Sequence, residues 1–454
     1  MARNTIKDMT VGSPMKLVLG FALPLLFGFA FQQLYSFVDT AIVGKVLGAE
    51  KLAAVGSTGS VNFLILGMCN GLCAGMSIPI AQAFGAKDET DLRRHMANAI
   101  YVGAVFSVLL AVATALLCPA ILRLMDTDET IIGDAIAYIR IIFIAIPVTV
   151  LYNMAGGILR ALGDSRTPVI FLAVASLVNI ALDLLFMIVF GMGVQGAAIA
   201  TAISQLVSGV GCVIVMVRGY PILRLTEDDR RFRPAYARHL LGIGIPMGLQ
   251  YSITAIGSVI MQWSVNGISV AAVAAMTASA KVHMFFACIF DALATTMATF
   301  AGQNVGAKRM DRVGQGLKAA AILGIVYSLL ANAVVWLFGR QLIGLFLDAA
   351  ETQVIDMALI NLKIIVAFYV LLLFVNIVRL TIQGMGFTSV AMIAGVMEMV
   401  ARIGVALLAV PAFGYVGACM GNPAAWVFAD AFLFPCYFHV VRQLRKRFRC
   451  ESAQ

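Results

Sequence analysis

The chain has 454 residues, of which 61% are apolar and only 12% are charged. Soluble domains are about 45–50% apolar and about 25% charged, so a water-soluble surface cannot be built from the remaining residues. The composition excludes a soluble enzyme, a disordered protein and a secreted domain held by disulfide bonds. It predicts a polytopic helical membrane protein, in which each span of roughly 20 apolar residues satisfies its own backbone hydrogen bonds.

Apolar windows of about 19 residues predict twelve membrane-spanning helices. In chain order, the predicted spans are residues 17–42, 53–82, 96–118, 131–157, 167–189, 194–217, 239–265, 270–302, 314–338, 354–380, 388–411 and 415–440. The polar residues 1–16 lead directly into the first span, so we expect a membrane helix there and no cleaved signal peptide. The longest polar gap, residues 218–238, is predicted to be a solvated linker between two six-helix halves.

The distribution of Lys and Arg predicts the orientation in the membrane. One set of loops and tails holds 23 of these residues, whereas the opposite loops hold only Lys45, Lys51, Arg123 and Arg340. The positive-inside rule therefore predicts that both termini lie in the cytoplasm. We expect a multi-pass protein of the plasma membrane. The net charge of +9 reflects this bias and contact of the basic tail with anionic lipids, and it does not indicate nucleic-acid binding.

The two halves of the sequence repeat with an offset near 222. The matching segments are 82–87 with 303–308, 162–165 with 385–388, 193–197 with 414–418, and Pro24 with Pro246. We therefore predict an all-α fold with an N-lobe, residues 1–225, and a C-lobe, residues 226–454. Six helices per lobe keep the lobes in the same orientation around a central cavity, as in alternating-access transporters. A passive channel would more often carry a filter loop, and none is found in the sequence.

Acidic side chains inside the spans are the first candidates for function, because a charge at the bilayer centre costs on the order of 3 kcal/mol. Asp39 lies in span 1 and Asp183 in span 5, one helical turn after Asn179. Thr201 lies about 12 Å into span 6, at a rise of 1.5 Å per residue. Counting from the helix ends places all four side chains at one depth in the outer half of the N-lobe.

Two carboxyl groups in an apolar bundle are poorly solvated and repel each other, so one of them can hold a proton near neutral pH. The same carboxylate, amide and hydroxyl oxygens could instead bind Na⁺. We therefore predict a coupling site for H⁺ or Na⁺ at Asp39, Asn179, Asp183 and Thr201. A static hydrogen-bonded knot between spans 1, 5 and 6 is the structural alternative. We expect no cofactor and no other metal.

Five further residues are assigned to the hinge of helix 1 and to the cavity. Pro24 removes a backbone hydrogen bond in mid-helix and is the predicted hinge. Tyr138 has the depth to approach Asp183, whereas Asn153 belongs to the cytoplasmic half. The hinge and cavity residues are Pro24, Gln32, Tyr35, Tyr138 and Asn153.

The other intramembrane charges are given structural roles. Glu398 and Arg402 are four residues apart on span 11 and are predicted to neutralise each other, with Arg379 as a third member. Lys281 and His283 on span 8 are candidates for the cavity wall, as is Asp291. The eight Cys and four His residues show neither metal-ligand nor catalytic spacing, and no nucleotide-binding motif is convincing, so we predict that the chain is not an enzyme.

Taken jointly, several segments resemble the multidrug and toxic compound extrusion (MATE) family of bacterial transporters. The resemblance covers nearly the whole length. It rests on Pro24, residues 32–44, 81–86, 159–168, 179–183 and 302–307. It implies export of amphipathic, often cationic, organic compounds in exchange for H⁺ or Na⁺.

The resemblance also implies an N-lobe cation site, which maps onto Asp39, Asn179, Asp183 and Thr201, and a helix-1 bend at Pro24. Acids that some members carry in helices 7 and 10 are missing here, apart from Asp356 near an outer end, which disfavours a C-lobe cation site. We expect a monomer whose partners are drug-like molecules and membrane lipids. A lipid-linked oligosaccharide flippase of the same superfamily is the alternative function, and a channel is a weaker one.

Overall fold

The computed structural model describes residues 6–125, 127–347 and 351–452, and within these ranges the chain is helical with no β-strand. Ten helices in this part of the chain are long and apolar enough to cross a membrane, and two bent helix pairs each provide one further span. The predicted all-α fold with twelve spans is therefore confirmed.

The helices of the first half extend the predicted spans by several residues at most ends. They are α1 (Pro14–Leu47), α2 (Ala49–Ser57), α3 (Gly59–Ala86), α4 (Glu89–Leu124), α5 (Ile132–Ile144), α6 (Ile146–Ala161), α7 (Arg166–Leu184) and α8 (Gly193–Gly219). A π-helical turn, Leu185–Val189, continues α7, and a 3₁₀ turn, Pro221–Leu223, follows α8.

Within the described residues, the second half also contains eight α-helices and has a bent pair in its fourth span, as the first half does. Its helices are α9 (Pro234–Asn266), α10 (Val270–Gly306), α11 (Met310–Ile343), α12 (Thr352–Ala367), α13 (Tyr369–Gly384), α14 (Thr388–Gly404), α15 (Val410–Cys419) and α16 (Gly421–Ser452). A π-helical turn, Val405–Ala409, links α14 to α15, and the backbone leaves the helical conformation at Gly414, where φ is 57°. The predicted boundary between spans 11 and 12 lies at this glycine.

The fourth and tenth spans are broken rather than continuous. α5 and α6 meet at Ala145 with a bend of 45°, and α12 and α13 meet at Phe368 with a bend of 51°. Pro147 follows the first break and has no amide hydrogen to continue the ladder of α5. The second break has no proline beside it. The sequence therefore gives no sign of this break, because the apolar window runs through it without interruption.

The described residues pack into two compact units, which divide within α1, within α9 and before α1. Among these residues, unit 1 contains residues 6–8 and those from 27 to 248, and unit 2 contains residues 9–26 and those from 249 to 452. This division differs from the predicted lobes 1–225 and 226–454 in the first parts of α1 and α9. The two division points, after Leu26 and after Gly248, are 222 positions apart and thus follow the sequence repeat.

Unit 1 has an apolar core around α3. Leu72, Met76 and Ile80 repeat at four-residue spacing on one face of α3 and are at most 1% exposed. Phe143 on α5 is fully buried in the same core. This core fixes α3 and the α5–α6 break relative to each other.

Helices α3 and α9 cross within unit 1 through paired glycines. A Cβ atom on Gly75 would lie 2.6 Å from Cα of Gly244, and one on Gly71 would lie 2.5 Å from the backbone oxygen of Met247. Small residues at four-residue spacing let helix backbones approach closely in a membrane. The crossing therefore requires the absence of side chains at these positions.

The linker between the halves was predicted to be solvated, but part of it is pinned to the start of α4. Asp229 is only 2% exposed and accepts a hydrogen bond of 2.8 Å from Arg93 Nε. Burial raises the pKa of Asp229, but hydrogen bonds from Thr226 and Arg93 outweigh it and keep this pKa below its usual value. The linker thus belongs to the folded part of unit 1.

The repeated polar motif at the end of α10 holds the segment that precedes α1 within unit 2. Gln303 Oε1 accepts a hydrogen bond of 2.9 Å from the backbone N–H of Met9, and Asn304 Nδ2 donates to the Met9 carbonyl at 3.2 Å. Arg312 Nη2 donates to the carbonyl of Gly12 at 3.0 Å. This motif is therefore a structural clamp on the backbone.

The three charged residues that the sequence groups together do meet in unit 2. Arg379 donates to one oxygen of Glu398, and Arg402 Nη1 lies 3.6 Å from the other. All three side chains are buried, with 3% to 6% of each residue exposed. Their arrangement has the form of a buried ion triad in which one acid holds two guanidinium groups.

The glycine crossing yields a first prediction. Gly75→Ala should lower the free energy of unfolding by about 1–3 kcal/mol, because the new methyl group overlaps the backbone of α9. Gly133→Ala is the matched control, since a Cβ there meets no atom within 4 Å. Thermal unfolding of both variants in detergent checks this. Equal melting temperatures would contradict the close crossing.

The ion triad yields a second prediction. Glu398→Gln should cost about 3–5 kcal/mol of unfolding free energy, because it leaves two buried guanidinium groups without their shared acid. The exposed Glu227→Gln serves as the control for loss of one carboxylate. Denaturant unfolding followed by near-UV circular dichroism measures the difference. A variant as stable as the control would show that the triad does not stabilise unit 2.

Candidate cation-coupling site

Helix α7 carries two polar side chains into the interior of unit 1. Asn179 and Asp183 are both fully buried and lie one turn apart on the same face of the helix. An isolated buried carboxylate is costly, so groups around Asp183 must either hydrogen-bond to it or neutralise it.

Asn179 joins α7 to α8 and α1. Its hydrogen-bonding neighbours fix the orientation of the amide. The nitrogen faces Asp183 Oδ2 at 2.7 Å and the Tyr35 hydroxyl at 3.3 Å, and the oxygen accepts from the backbone N–H of Thr201 at 3.1 Å. The Thr201 hydroxyl donates to the carbonyl of Ala197 at 3.0 Å. Asn179 therefore presents N–H groups, rather than its oxygen, to the acid.

Helix α1 adds Tyr35 and Asp39, which are one turn apart. The Tyr35 hydroxyl lies 3.3 Å from the Asn179 amide nitrogen. The carboxyl group of Asp39 lies within hydrogen-bonding reach of the Asp183 carboxyl group. Two carboxyl groups can form a hydrogen bond only if at least one of them carries a proton. The arrangement therefore fits a pair that holds a proton.

One oxygen of each acid receives no hydrogen bond from an N–H group or a hydroxyl group in the described part of the chain. Asp39 Oδ1 and Asp183 Oδ1 are buried and have none within the described ranges. Such unpartnered buried oxygens are costly and mark a place where a cation can bind.

Tyr138 on α5 lies beside the acid pair. It is 9% exposed and close enough to both Asp39 and Asp183 to interact with them electrostatically. Four helices, α1, α5, α7 and α8, thus contribute to one polar cluster inside unit 1. The structure brings together Asp39, Asn179, Asp183, Thr201, Tyr35 and Tyr138.

The other three predicted residues lie elsewhere. Pro24 is in the part of α1 that belongs to unit 2. Gln32 is exposed, and Asn153 on α6 donates to the carbonyl of Thr149 at 2.9 Å in its own helix. Neither these positions nor the hydrogen bond of Asn153 connects the three residues to the acid pair in the described part of the chain.

The sequence analysis missed Asp430 on α16. This residue is 5% exposed, and it interacts electrostatically with Arg379 of the ion triad. Its position inside the last apolar span was a signal that could have revealed it. His283, a predicted cavity residue, instead hydrogen-bonds through Nδ1 to the Tyr369 hydroxyl at 2.9 Å.

Known proteins are similar to this chain in sequence and in structure. The sequence profile of the MatE family matches residues 24–185 and 246–408. The "Probable multidrug resistance protein YoeA" of Bacillus subtilis (strain 168) is 30% identical over 317 residues, 68% of each protein. The "Probable multidrug resistance protein YpnP" of the same organism is 27% identical over 348 residues, 76% of this chain and 77% of that protein.

Solved structures share the fold. One titled "Outward-facing conformation of a multidrug resistance MATE family transporter of the MOP superfamily." matches with a TM-score of 0.90 and 23% identity, over 98% of this chain and 99% of that one. The family prediction is confirmed, as is the prediction that the chain is not an enzyme. The chain belongs to the MatE family of multi-pass, ion-coupled membrane transporters.

Proposed function

We propose that the chain is a proton-coupled antiporter that exports amphipathic, often cationic, organic compounds by alternating access. The observation that supports this most directly is the hydrogen-bonding contact between the carboxyl groups of Asp39 and Asp183 inside an apolar helix bundle. The names of the similar multidrug resistance proteins support the class of cargo. They do not favour the flippase alternative.

The chemistry of the cluster favours H⁺ over Na⁺. A Na⁺ site needs several oxygen atoms directed at one point, whereas the Asn179 amide directs its nitrogen towards Asp183. An N–H donor stabilises an ionised acid and repels a metal cation. A proton between Asp39 and Asp183 needs only the contact that these groups already make.

Coupling would act through helix α1. Loss of the proton leaves two carboxylates at hydrogen-bonding distance, and their repulsion in a poorly solvated site favours separation of α1 from α7. α1 runs as one helix from Asp39 in unit 1 back to Pro24 in unit 2. Because Pro24 cannot donate a helical hydrogen bond, α1 can bend there at low cost. Protonation at Asp39 would thus select between two packings of α1.

The proposed setting follows the charge bias of the loops. Both termini would face the cytoplasm, the basic tail would contact anionic lipids of the plasma membrane, and one chain would carry a complete site.

Efflux measurements test the proposal. Asp39→Asn and Asp183→Asn should each lower pH-driven ethidium efflux about tenfold or more, because an amide cannot release a proton near neutral pH. Efflux is measured in inverted vesicles with a pH gradient and a Na⁺ gradient imposed separately. We expect the wild type to respond to the pH gradient alone.

Asp356→Asn is the matched control, since this exposed acid pairs with Arg340 at 3.0 Å, away from the acid pair. Equal expression and melting temperature of the variants would exclude misfolding. Wild-type efflux by both site variants would disprove coupling at the acid pair. Efflux driven by a Na⁺ gradient in the absence of a pH gradient would show that the coupling ion is Na⁺ and not H⁺.

A further inference from the structure

The sequence repeat places a counterpart of the coupling site inside unit 2. The offset is 222 between Pro24 and Pro246, 223 between the helix breaks at Ala145 and Phe368, and 221 between the glycines that open the last spans of each half. The match of residues 162–165 with 385–388 at the start of α7 and α14 also has the offset 223. With 222 for α1, 223 for α5 and α7 and 221 for α8, the counterparts are Gly257 for Tyr35, Met261 for Asp39, Asn361 for Tyr138, Arg402 for Asn179, Ala406 for Asp183 and Asn422 for Thr201.

Four of these counterparts line one cavity. Met261, Asn361, Arg402 and Asn422 surround a space of about 370 Å³ together with Lys281. Cavities of roughly 300–1,000 Å³ hold small organic ligands. The repeat therefore preserves the position of the site while changing its side chains.

The change reverses the charge. Both acids of unit 1 are replaced by apolar residues, Met261 and Ala406, and the amide Asn179 is replaced by a guanidinium group. A Cβ on Gly257 would lie 3.4 Å from Arg402 Nη1, so the glycine that replaces Tyr35 leaves room for this group. No Asp or Glu is among the residues that line the cavity.

The neighbouring charges leave the cavity with a surplus of positive charge. Behind the cavity, Glu398 forms ion pairs with both Arg379 and Arg402. Lys281 is exposed and lines the cavity, and it has no salt bridge within the described part of the chain. A ligand with a negative charge would compensate this surplus.

Two buried polar atoms on the cavity wall make no hydrogen bond. Arg402 is 6% exposed, and its Nη1 lies 3.6 Å from Glu398 Oε2, beyond hydrogen-bonding distance, so that it has no hydrogen-bond partner in the ranges described. The same holds for Asn361 Oδ1, whose amide nitrogen donates to Ser279 Oγ at 2.6 Å. Unpartnered groups of this kind are costly unless a ligand completes them.

The other side chains that line the cavity can pack against the apolar part of a ligand. Met261, Met276 and Met284 face the same space. Methionine side chains are flexible and polarisable and adapt to ligands of different shape.

We propose that this cavity binds an amphipathic organic anion, with its carboxylate between Lys281 and Arg402 and its apolar part against the methionines. The two units would thus carry equivalent sites of opposite charge, one for a proton and one for an organic acid. The proposal concerns equilibrium binding and does not depend on the coupling mechanism of unit 1.

Binding of two matched probes tests the proposal. Dansylglycine carries a carboxylate, and dansylglycinamide replaces it with a neutral amide. Energy transfer from protein tryptophans to each probe is measured in nanodiscs of phosphatidylcholine, without gradients and with empty nanodiscs subtracted. We expect the acid to bind about tenfold more tightly than the amide, the difference typical of one charged hydrogen bond.

Lys281→Gln should remove most of this preference, and Lys281→Arg should restore it. Lys363→Gln is the matched control, because Lys363 lies over the Trp336 ring at 4.2 Å and does not line the cavity. Met261→Asp, which restores the acid found in unit 1, should abolish binding of dansylglycine without loss of folded protein. Equal affinity for both probes, or an unchanged preference in Lys281→Gln, would overturn the proposal.

Discussion

The contact between Asp39 and Asp183 is the constraint on which the candidate site depends. Two carboxyl groups cannot lie at hydrogen-bonding distance in an apolar bundle while both are ionised and no cation is present. The surrounding side chains do not remove this conflict, because each acid keeps one buried oxygen that receives no hydrogen bond from an N–H group or a hydroxyl group in the described ranges. The packing of α1 against α7 is therefore tied to the occupancy of the pair. If the cluster served only to hold the helices together, an amide in place of one acid would make the same hydrogen bond at a lower desolvation cost.

The internal repeat explains how this local chemistry can reach beyond unit 1. Helices α1 and α9 each divide between the two compact units, at positions that the repeat relates. The rest of each unit is held by close contacts away from the acid pair, such as the glycine crossing of α3 with α9 in unit 1 and the ion triad in unit 2. On the proposed mechanism, a shift at Asp39 would therefore be expressed in α1 rather than dispersed through the core, because packed interiors resist change.

Much of this architecture could be predicted from the sequence, because hydropathy and charge act over whole spans. Twelve apolar windows predicted the twelve spans, and counting residues from the helix ends placed Asp39, Asp183 and Thr201 at one depth. Features that depend on single contacts were not accessible in this way. The orientation of the Asn179 amide follows only from its neighbours in three dimensions. The break at Phe368 has no proline to announce it, and the pinning of Asp229 depends on an arginine 136 positions away.

The repeat also shows why a duplicated fold need not keep a duplicated function. The positions equivalent to the two acids of unit 1 are occupied in unit 2 by Met261 and Ala406. Replacing Tyr35 by its counterpart Gly257 made space, and replacing Asn179 by Arg402 filled part of that space with a cation. The ion triad keeps that arginine folded inside the membrane, because Glu398 compensates its charge at 3.6 Å. A buried guanidinium is thus maintained at a position where it can also meet a ligand.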